Sequence, residues 1–289
     1  MDKIYNCNSN DNEKIPDMVM KNLKLGFSDV HFDGLKMAAL SKAIEEYHQD
    51  IICRIPFSNT IEAESLGAEV KFSRPDIQAR IGKFNIESLE DIFKLGEMNL
   101  NKGSVFETLM AAKHLREEGK IVCLQVEGPF TIANQLMDSS FFYKSLVKEK
   151  EAMMHLFQII EKGILNYIEQ AVLNGVSIIS YADPSGTLDL VGPRVYKNYS
   201  GKLNHNILKK AEEIPGDFLI HLCGKTSSSM EREGFAKISS VQVGQGLSYG
   251  HGILEILNKY KDIRIVGNGC IKLSHLNNVK NCVWRVNLS

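Results

Sequence analysis

The chain has 289 residues, of which 44% are hydrophobic and 24% are charged, and its formal net charge is −1. This length allows one large or two small domains with a substantial core, and the near-zero charge predicts neither a nucleic-acid partner nor a membrane surface as a partner. No apolar run reaches the roughly 18–20 residues of a membrane span. The first 17 residues, MDKIYNCNSNDNEKIPD, lack the apolar core of a signal peptide, so we expect a cytoplasmic protein.

Predicted strands and helices alternate along most of the chain. The polar residues 1–17 predict a flexible N-terminal arm, and a helical pattern follows in GLKMAALSKAIEEYH. Helix-length amphipathic segments such as RVYKNYSGKLNHNILKKAEEI separate the later predicted strands, which are nearly all apolar. The predicted strands are DIICRIPF, AEVKFS, KIVCLQVEGP (120–129), GVSIISYADPSG (175–186), GDFLIHLCG (216–224), AKISSVQVGQG (236–246), DIRIVGNG (262–269) and NCVWRVNLS.

This alternation predicts an α/β fold whose parallel sheet is covered on both faces. About eight strands in a chain of this length favour a (β/α)8 TIM barrel, and an open doubly wound sheet is the alternative. The sequence has no Gly-x-Gly-x-x-Gly motif that opens a helix after the first strand, which counts against a dinucleotide-binding sheet. Because no repeat, low-complexity tract or linker interrupts the pattern, we expect residues 18–289 to form a single barrel domain.

Polar residues that carry chemistry end several of the predicted strands. In a (β/α)8 barrel the active site lies at the carboxyl ends of the strands, and buried strands seldom end in titratable groups by accident. We therefore expect the functional residues to come from this set. The residues found there are Glu127, Asp183, His221, Cys223, Gln245 and Cys270.

Three of these residues form a candidate zinc site. His221 and Cys223 are two residues apart on one predicted strand, so their side chains project from the same face. Cys270 follows a strand two further along, and Cys282 competes with it for the third ligand position. Zinc favours imidazole nitrogen and thiolate sulfur, and a catalytic zinc keeps one position open. The alternative is a hydrogen-bonded core histidine with small buried thiols.

Four segments resemble the uroporphyrinogen decarboxylase superfamily, and more closely its corrinoid-dependent branch, the methylcobamide:coenzyme M methyltransferases. The resemblance runs in order over roughly residues 50 to 270. It implies a (β/α)8 barrel in which zinc, held by His221, Cys223 and Cys270, binds the acceptor thiol, while a separate corrinoid protein supplies the methyl group of a methylcobalamin-like cofactor. The segments are PFSNTIEAESLGAEV (56–70), VEGPFTIANQLMD (126–138), DPSGTLDLVGPRVYKNY (183–199) and HLCGKTS (221–227).

Five other residues are assigned roles in this site. Glu127 and Asp183 are the predicted catalytic residues, since either carboxylate could take the thiol proton; each could instead cap a following helix. Tyr181, Glu62 and Gln245 are the predicted substrate-binding residues. Glu62 matches a recurrent glutamate of the superfamily, and Tyr181 shares a strand face with Asp183. Gln245 lies about where related methionine synthases carry a glutamate ligand, so the fourth zinc ligand is left open between the thiol, water and Glu127.

Other reactions remain alternatives at this stage. The resemblance to decarboxylases suggests metal-free decarboxylation of a porphyrinogen, but those enzymes carry an arginine-rich N-terminal segment and this chain has no arginine before Arg54. A second alternative is methyl transfer from the corrinoid to tetrahydrofolate, and a third is a non-enzymatic corrinoid- or metal-binding barrel. The sequence does not choose between coenzyme M and homocysteine as the thiol, and it makes no prediction of oligomeric state.

Overall fold

The computed structural model describes residues 15–73 and 78–289, apart from the side chain at position 17. Most of the predicted N-terminal arm, residues 1–17, therefore lies outside the described residues. The helices are α1 Asp17–Leu23, α2 Phe27–His31, α3 Gly34–His48, α4 Ile61–Ser65, α5 Leu89–Lys94, α6 Gly103–Glu117, α7 Pro129–Leu136, α8 Ser139–Lys148, α9 Lys150–Leu173, α10 Leu188–Val195, α11 Gly201–Glu212, α12 Gly224–Arg232 and α13 Tyr249–Lys259. Short 3₁₀ turns span Pro184–Gly186 and Ile271–Leu273, and a π-helical turn spans Tyr196–Ser200.

The strands form one large and one small sheet. The large sheet has seven strands in the order β1-β4-β5-β6-β8-β9-β7, and β2 pairs with β3 in a separate antiparallel ribbon. Strands β1, β4, β5, β6 and β8 run parallel to one another, which confirms the prediction of an α/β fold with a mostly parallel sheet. The strands are β1 Ile52–Ile55, β2 Glu69–Lys71, β3 Arg80–Lys83, β4 Ile121–Glu127, β5 Ile178–Ala182, β6 Leu219–Cys223, β7 Ala236–Gln242, β8 Ile265–Gly269 and β9 Cys282–Leu288.

Two of the predicted barrel strands have partners that the sequence did not indicate. The segment 68–73 contributes β2 to the small ribbon, and the segment 236–246 contributes β7, which runs antiparallel to β9. Strand β9 in turn runs antiparallel to β8. As a consequence β8 pairs directly with β6, so the strand before Cys270 lies beside the strand that carries His221.

The two faces of the parallel strands have different surroundings. Residues such as Val122, Leu124 and Ile220 pack with the helices in the main hydrophobic core. The alternate residues face the other way, because successive strand side chains point to opposite faces. Near the strand starts, those alternate residues form a second, smaller apolar cluster with α13 that includes Ile178 and Leu219. Towards the carboxyl ends the same face turns polar.

The helices begin where the sequence supplies suitable capping groups. Asp138 accepts hydrogen bonds from the backbone N–H groups of Ser140 and Phe141 at the start of α8, and Ser248 accepts one from His251 at the start of α13. Such caps satisfy N–H groups that have no partner inside the helix. Among the described residues, every helix is too short or too polar to cross a membrane.

Candidate functional site

A cavity of about 400 Å³ lies at the carboxyl ends of the parallel strands. Its wall is formed by the polar face of β1, β4, β5 and β6 together with the segment that follows β8. All three predicted zinc ligands line this one cavity. The strand-end residues of its lining include Arg54, Gln125, Glu127, Ser180, Ala182, His221, Cys223, Gly269, Cys270 and Lys272, and Glu62 and Lys225 line it from helices.

Adjacent strands bring the two cysteines to the same edge of the sheet. Cys223 is the last residue of β6 and pairs with Gly269, the last residue of β8, after a shift in register next to Leu222. Cys270 follows directly. Cys223 is also the N-cap residue of α12. Both side chains are half-buried and neither is in a disulfide.

His221 is completely buried in the wall of the cavity. Its Nε2 lies 3.1 Å from the hydroxyl oxygen of Tyr249, while its Nδ1 is buried without a hydrogen-bond partner. Burial lowers the pKa of His221 to about 4, because desolvation disfavours the charged imidazolium. The ring is therefore neutral at neutral pH, and one ring nitrogen carries an available electron pair.

The chemistry of these residues fits zinc. One neutral imidazole and two thiols are a set of ligands that zinc prefers, and Nδ1 of His221, a residue of the cavity wall, is buried without a hydrogen-bond partner. Within residues 15–73 and 78–289, however, no three His, Cys, Asp or Glu side chains lie close enough together to hold a metal ion. Binding a metal here thus requires the side chains of His221, Cys223 and Cys270 to come closer together.

Two buried carboxyl groups lie in the same cavity. Glu62, on α4, accepts a hydrogen bond of 2.9 Å at Oε1 from the backbone N–H of Glu127. The Oε2 atoms of both residues are buried without partners. Burial raises the pKa of Glu62 to about 7. Burial, together with the negative charges of Glu62 and Asp183, raises the pKa of Glu127 well above its ordinary value, although Lys272 opposes this. Burial and their mutual repulsion therefore disfavour the form in which both carboxyl groups are ionised.

Asp183 and Tyr181 lie on the opposite side of β5 from the cavity. Glu127 pairs with Ala182 across the sheet, and Ala182 lines the cavity whereas its two neighbours do not. The carboxylate of Asp183 accepts hydrogen bonds from Thr131 N–H and Oγ1 (both 2.8 Å) and from Asn204 Nδ2 (2.9 Å). Tyr181 donates to Asn204 Oδ1 at 2.6 Å. The prediction that these two residues share a strand face agrees with this arrangement, but the face they share is the one covered by helices.

Asp183 connects the end of β5 to the start of α7. Gly128, between β4 and α7, allows this close approach, since a Cβ atom added there would lie 2.4 Å from the Cβ of Asp183. Through these contacts Asp183 holds the turn that follows Glu127.

Replacing Asp183 by alanine should lower the free energy of unfolding by about 2 kcal/mol, because the buried N–H and hydroxyl donors of Thr131 and the amide of Asn204 lose their acceptor. Urea denaturation measures this change. As a control, Asp189→Ala removes an exposed carboxylate that pairs with Arg232, and it should change stability by less than about 0.5 kcal/mol. Equal effects for the two substitutions would contradict the assignment.

Gln245 does not line the cavity. It is exposed, in the turn between β7 and α13, and it is absent from the described lining of the cavity. The physical reason is that β7 pairs with β9 rather than with β6, so the end of β7 lies away from His221. The predicted role of Gln245 would need β7 to lie beside β6, as it does in chain order.

Several cavity residues were not indicated by the sequence. Arg54, Lys225 and Lys272 bring positive charge to the wall, and Tyr249, which is absent from the described lining, contacts His221 from behind it. Arg54 alternates with Ile52 on β1 and Lys225 follows Cys223 in the first turn of α12, so a search for charged residues next to predicted strand ends would have found these two. No sequence signal connects Tyr249 with His221, which is 28 residues earlier.

Comparison with known proteins identifies the family. A family model described as uroporphyrinogen decarboxylase (URO-D) matches residues 13–268. This match covers most of the chain, which therefore belongs to the uroporphyrinogen decarboxylase family, and the resemblance seen in the sequence is confirmed.

The curated relatives carry the names of methyltransferases. The chain is 27% identical over 220 residues to the methylcobamide:CoM methyltransferase MtbA of Methanosarcina acetivorans, covering 75% of this chain and 65% of the relative. It is 28% identical over 217 residues to the MtbA of Methanosarcina mazei, covering 73% and 64%. A solved structure of a methyltransferase from Methanosarcina mazei shares the fold, with a TM-score of 0.64 at 20% identity over 74% of this chain and 65% of that one. The chain thus spans slightly less than two thirds of the length of these relatives.

Proposed function

We propose that this protein transfers a methyl group from a methylated corrinoid to a small thiol such as coenzyme M or homocysteine, and that it depends on zinc. The observation that carries the proposal is the position of His221, Cys223 and Cys270 on the wall of one cavity at the ends of two adjacent strands. The names of the relatives, methylcobamide:CoM methyltransferases, support the same reaction. They also favour it over decarboxylation, which requires no such donor set.

His221, Cys223 and Cys270 would hold the zinc, which when bound lowers the pKa of a thiol and so supplies a thiolate at neutral pH. The thiol sulfur then forms a bond to the methyl carbon while the cobalt–carbon bond of the corrinoid breaks, and the electron pair of that bond stays with cobalt. The methylated corrinoid is a substrate in this proposal, and a partner protein brings it to the mouth of the cavity.

The other cavity residues act on the thiol acceptor. The Glu62–Glu127 pair takes up the thiol proton when one of the two carboxyl groups is ionised. Arg54, Lys225 and Lys272 give the wall positive charges, which suit an acceptor with an anionic group; both the sulfonate of coenzyme M and the carboxylate of homocysteine qualify. Asp183 acts indirectly, since it holds the turn that follows Glu127.

We also infer that residues 18–289 form one domain of the (β/α)8 barrel type. The five parallel strands with helices on one face support this inference, as does the apolar cluster at the starts of the strands with the cavity at their carboxyl ends. In such barrels side chains fill the interior and the active site lies above them at the carboxyl ends. The fold likeness to a solved methyltransferase agrees with it.

The proposal is tested by mixing the purified protein with methylcobalamin and a panel of acceptors. We expect methylcobalamin to be demethylated with coenzyme M or homocysteine and not with tetrahydrofolate. The change in the absorbance of methylcobalamin measures the reaction. A chelator should abolish the reaction and added zinc should restore it. Demethylation that needs tetrahydrofolate and survives the chelator would show that the acceptor is not a thiol. Conversion of uroporphyrinogen by the chelated protein would contradict the proposed reaction altogether.

A further inference from the structure

The contacts of Tyr249 bear on which ring nitrogen of His221 carries the proton. The hydroxyl oxygen of Tyr249 lies 3.1 Å from His221 Nε2 and 3.4 Å from the backbone carbonyl oxygen of Gly267. A phenol has one proton to donate, and a carbonyl oxygen only accepts. Both contacts are hydrogen bonds if the hydroxyl donates to Gly267 and accepts from the Nε2–H group of His221. Neutral His221 then has its electron pair on Nδ1.

The opposite arrangement satisfies fewer groups. If Tyr249 donated to Nε2, it would have no proton for the carbonyl of Gly267, and His221 would carry its proton on Nδ1. That atom is buried without a hydrogen-bond partner of good geometry, and the backbone group that interacts with the ring is that of His221 itself, so an N–H there would be a poorly satisfied buried donor. The first arrangement instead leaves a buried electron pair at the cavity, and such a pair is what a cation needs.

The position of Tyr249 on α13 and a glycine on β8 allow its phenol to lie beside His221. Tyr249 is the first residue of α13, and its ring meets that of His221 edge-on at a centroid distance of 5.8 Å. Gly269, at the end of β8, leaves the necessary space, because a Cβ atom there would lie 2.5 Å from the hydroxyl oxygen of Tyr249. The lack of a side chain at Gly269 thus makes room for the hydroxyl group of Tyr249 beside His221.

We propose that Tyr249 is a positioning residue that holds His221 in the tautomer protonated on Nε2, so that Nδ1 is the atom presented as a ligand. The tautomer follows from the contacts alone, whereas the role of Nδ1 as a zinc ligand rests on the proposed function. Partners of ligating histidines in other proteins act in the same way, and their removal typically costs about 10–100-fold in metal affinity.

The tautomer is measured by long-range ¹H–¹⁵N NMR on the metal-free, ¹⁵N-labelled full chain, with the His221 signals assigned by their loss in His221→Gln. We expect a pyrrole-type shift for Nε2 and a pyridine-type shift for Nδ1. In Tyr249→Phe both shifts should move towards the average of the two tautomers. Tyr260→Phe, which changes the tyrosine just after the same helix, is the matched control and should leave them unchanged.

Zinc titration against a chromophoric chelator supplies the second readout. Tyr249→Phe should weaken zinc binding by about 10–100-fold, and Tyr260→Phe should not weaken it. A proton on Nδ1 in the unsubstituted protein, or tautomer signals that Tyr249→Phe leaves unchanged, would overturn the proposal even if Tyr249→Phe itself proved unstable. If the Nε2–H tautomer is found but the protein binds no zinc, the positioning role stands, and the ligand role of Nδ1 fails together with the proposed function.

Discussion

Replacing Cys223 by serine is expected to remove tightly bound zinc from the purified protein. The unsubstituted protein should carry about one zinc per chain, held by one nitrogen and two sulfur donors. Loss of a direct ligand should weaken zinc binding by on the order of 100-fold or more, which is a larger effect than the loss of a residue that only hydrogen-bonds to a ligand. Metal analysis after dialysis, together with competition against a chelator, measures both the stoichiometry and the affinity.

Matched cysteine variants decide which thiols are ligands. Cys270→Ser should lose zinc as Cys223→Ser does. Cys282→Ser should keep it, because Cys282 is buried at the start of β9, opposite Gln242, and is absent from the described lining of the cavity. A full equivalent of zinc in Cys223→Ser, or its loss in Cys282→Ser alone, would contradict the assignment.

Replacing Glu62 by glutamine is expected to make the protein more stable at alkaline pH. Burial raises the pKa of Glu62 from 4.5 to about 7. Between these pH values the folded chain keeps a proton that the unfolded chain has lost, so the folded state loses stability as the pH rises through this range. Glutamine removes this dependence. Its Oε1 can still accept from the N–H of Glu127, and its amide N–H₂ replaces an oxygen that has no partner.

The size of this effect follows from the pKa. A pKa shift of one unit corresponds to about 1.4 kcal/mol. The difference in free energy of unfolding between Glu62→Gln and the unsubstituted protein should therefore change by about 2.5 kcal/mol, in favour of Glu62→Gln, between pH 5 and pH 8. Urea denaturation of both proteins at the two pH values measures the difference. Glu90→Gln, which changes a glutamate whose side chain is 85% exposed, should show no such dependence. A constant difference between the two proteins at both pH values would contradict the buried, protonated state of Glu62.

The sequence was sufficient to predict the end of the sheet at which the cavity lies. Apolar strands that end in Glu127, Cys223 and the segment before Cys270 indicated a parallel sheet with its chemistry at the carboxyl ends, and the cavity lies there. The two-residue spacing of His221 and Cys223 correctly placed both side chains on the same face, because strand side chains alternate.

Other features depend on pairing that a single sequence does not encode locally. The segment 236–246 was predicted as a barrel strand, yet it pairs antiparallel with β9, and this places Gln245 away from the cavity. The face of β5 that carries Tyr181 and Asp183 could be assigned only once its register with β4 was known. The contact of Tyr249 with His221 joins two elements that are distant in the chain, and only the folded structure reveals it.

X-ray absorption spectroscopy of the zinc-loaded protein tests the three-ligand site most directly. The zinc edge should show two sulfur neighbours at about 2.3 Å and at least one nitrogen neighbour at about 2.0–2.1 Å. One sulfur neighbour should disappear from any residual zinc in Cys270→Ser. A shell of nitrogen and oxygen alone, with no sulfur at bonding distance, would show that Cys223 and Cys270 do not hold the metal.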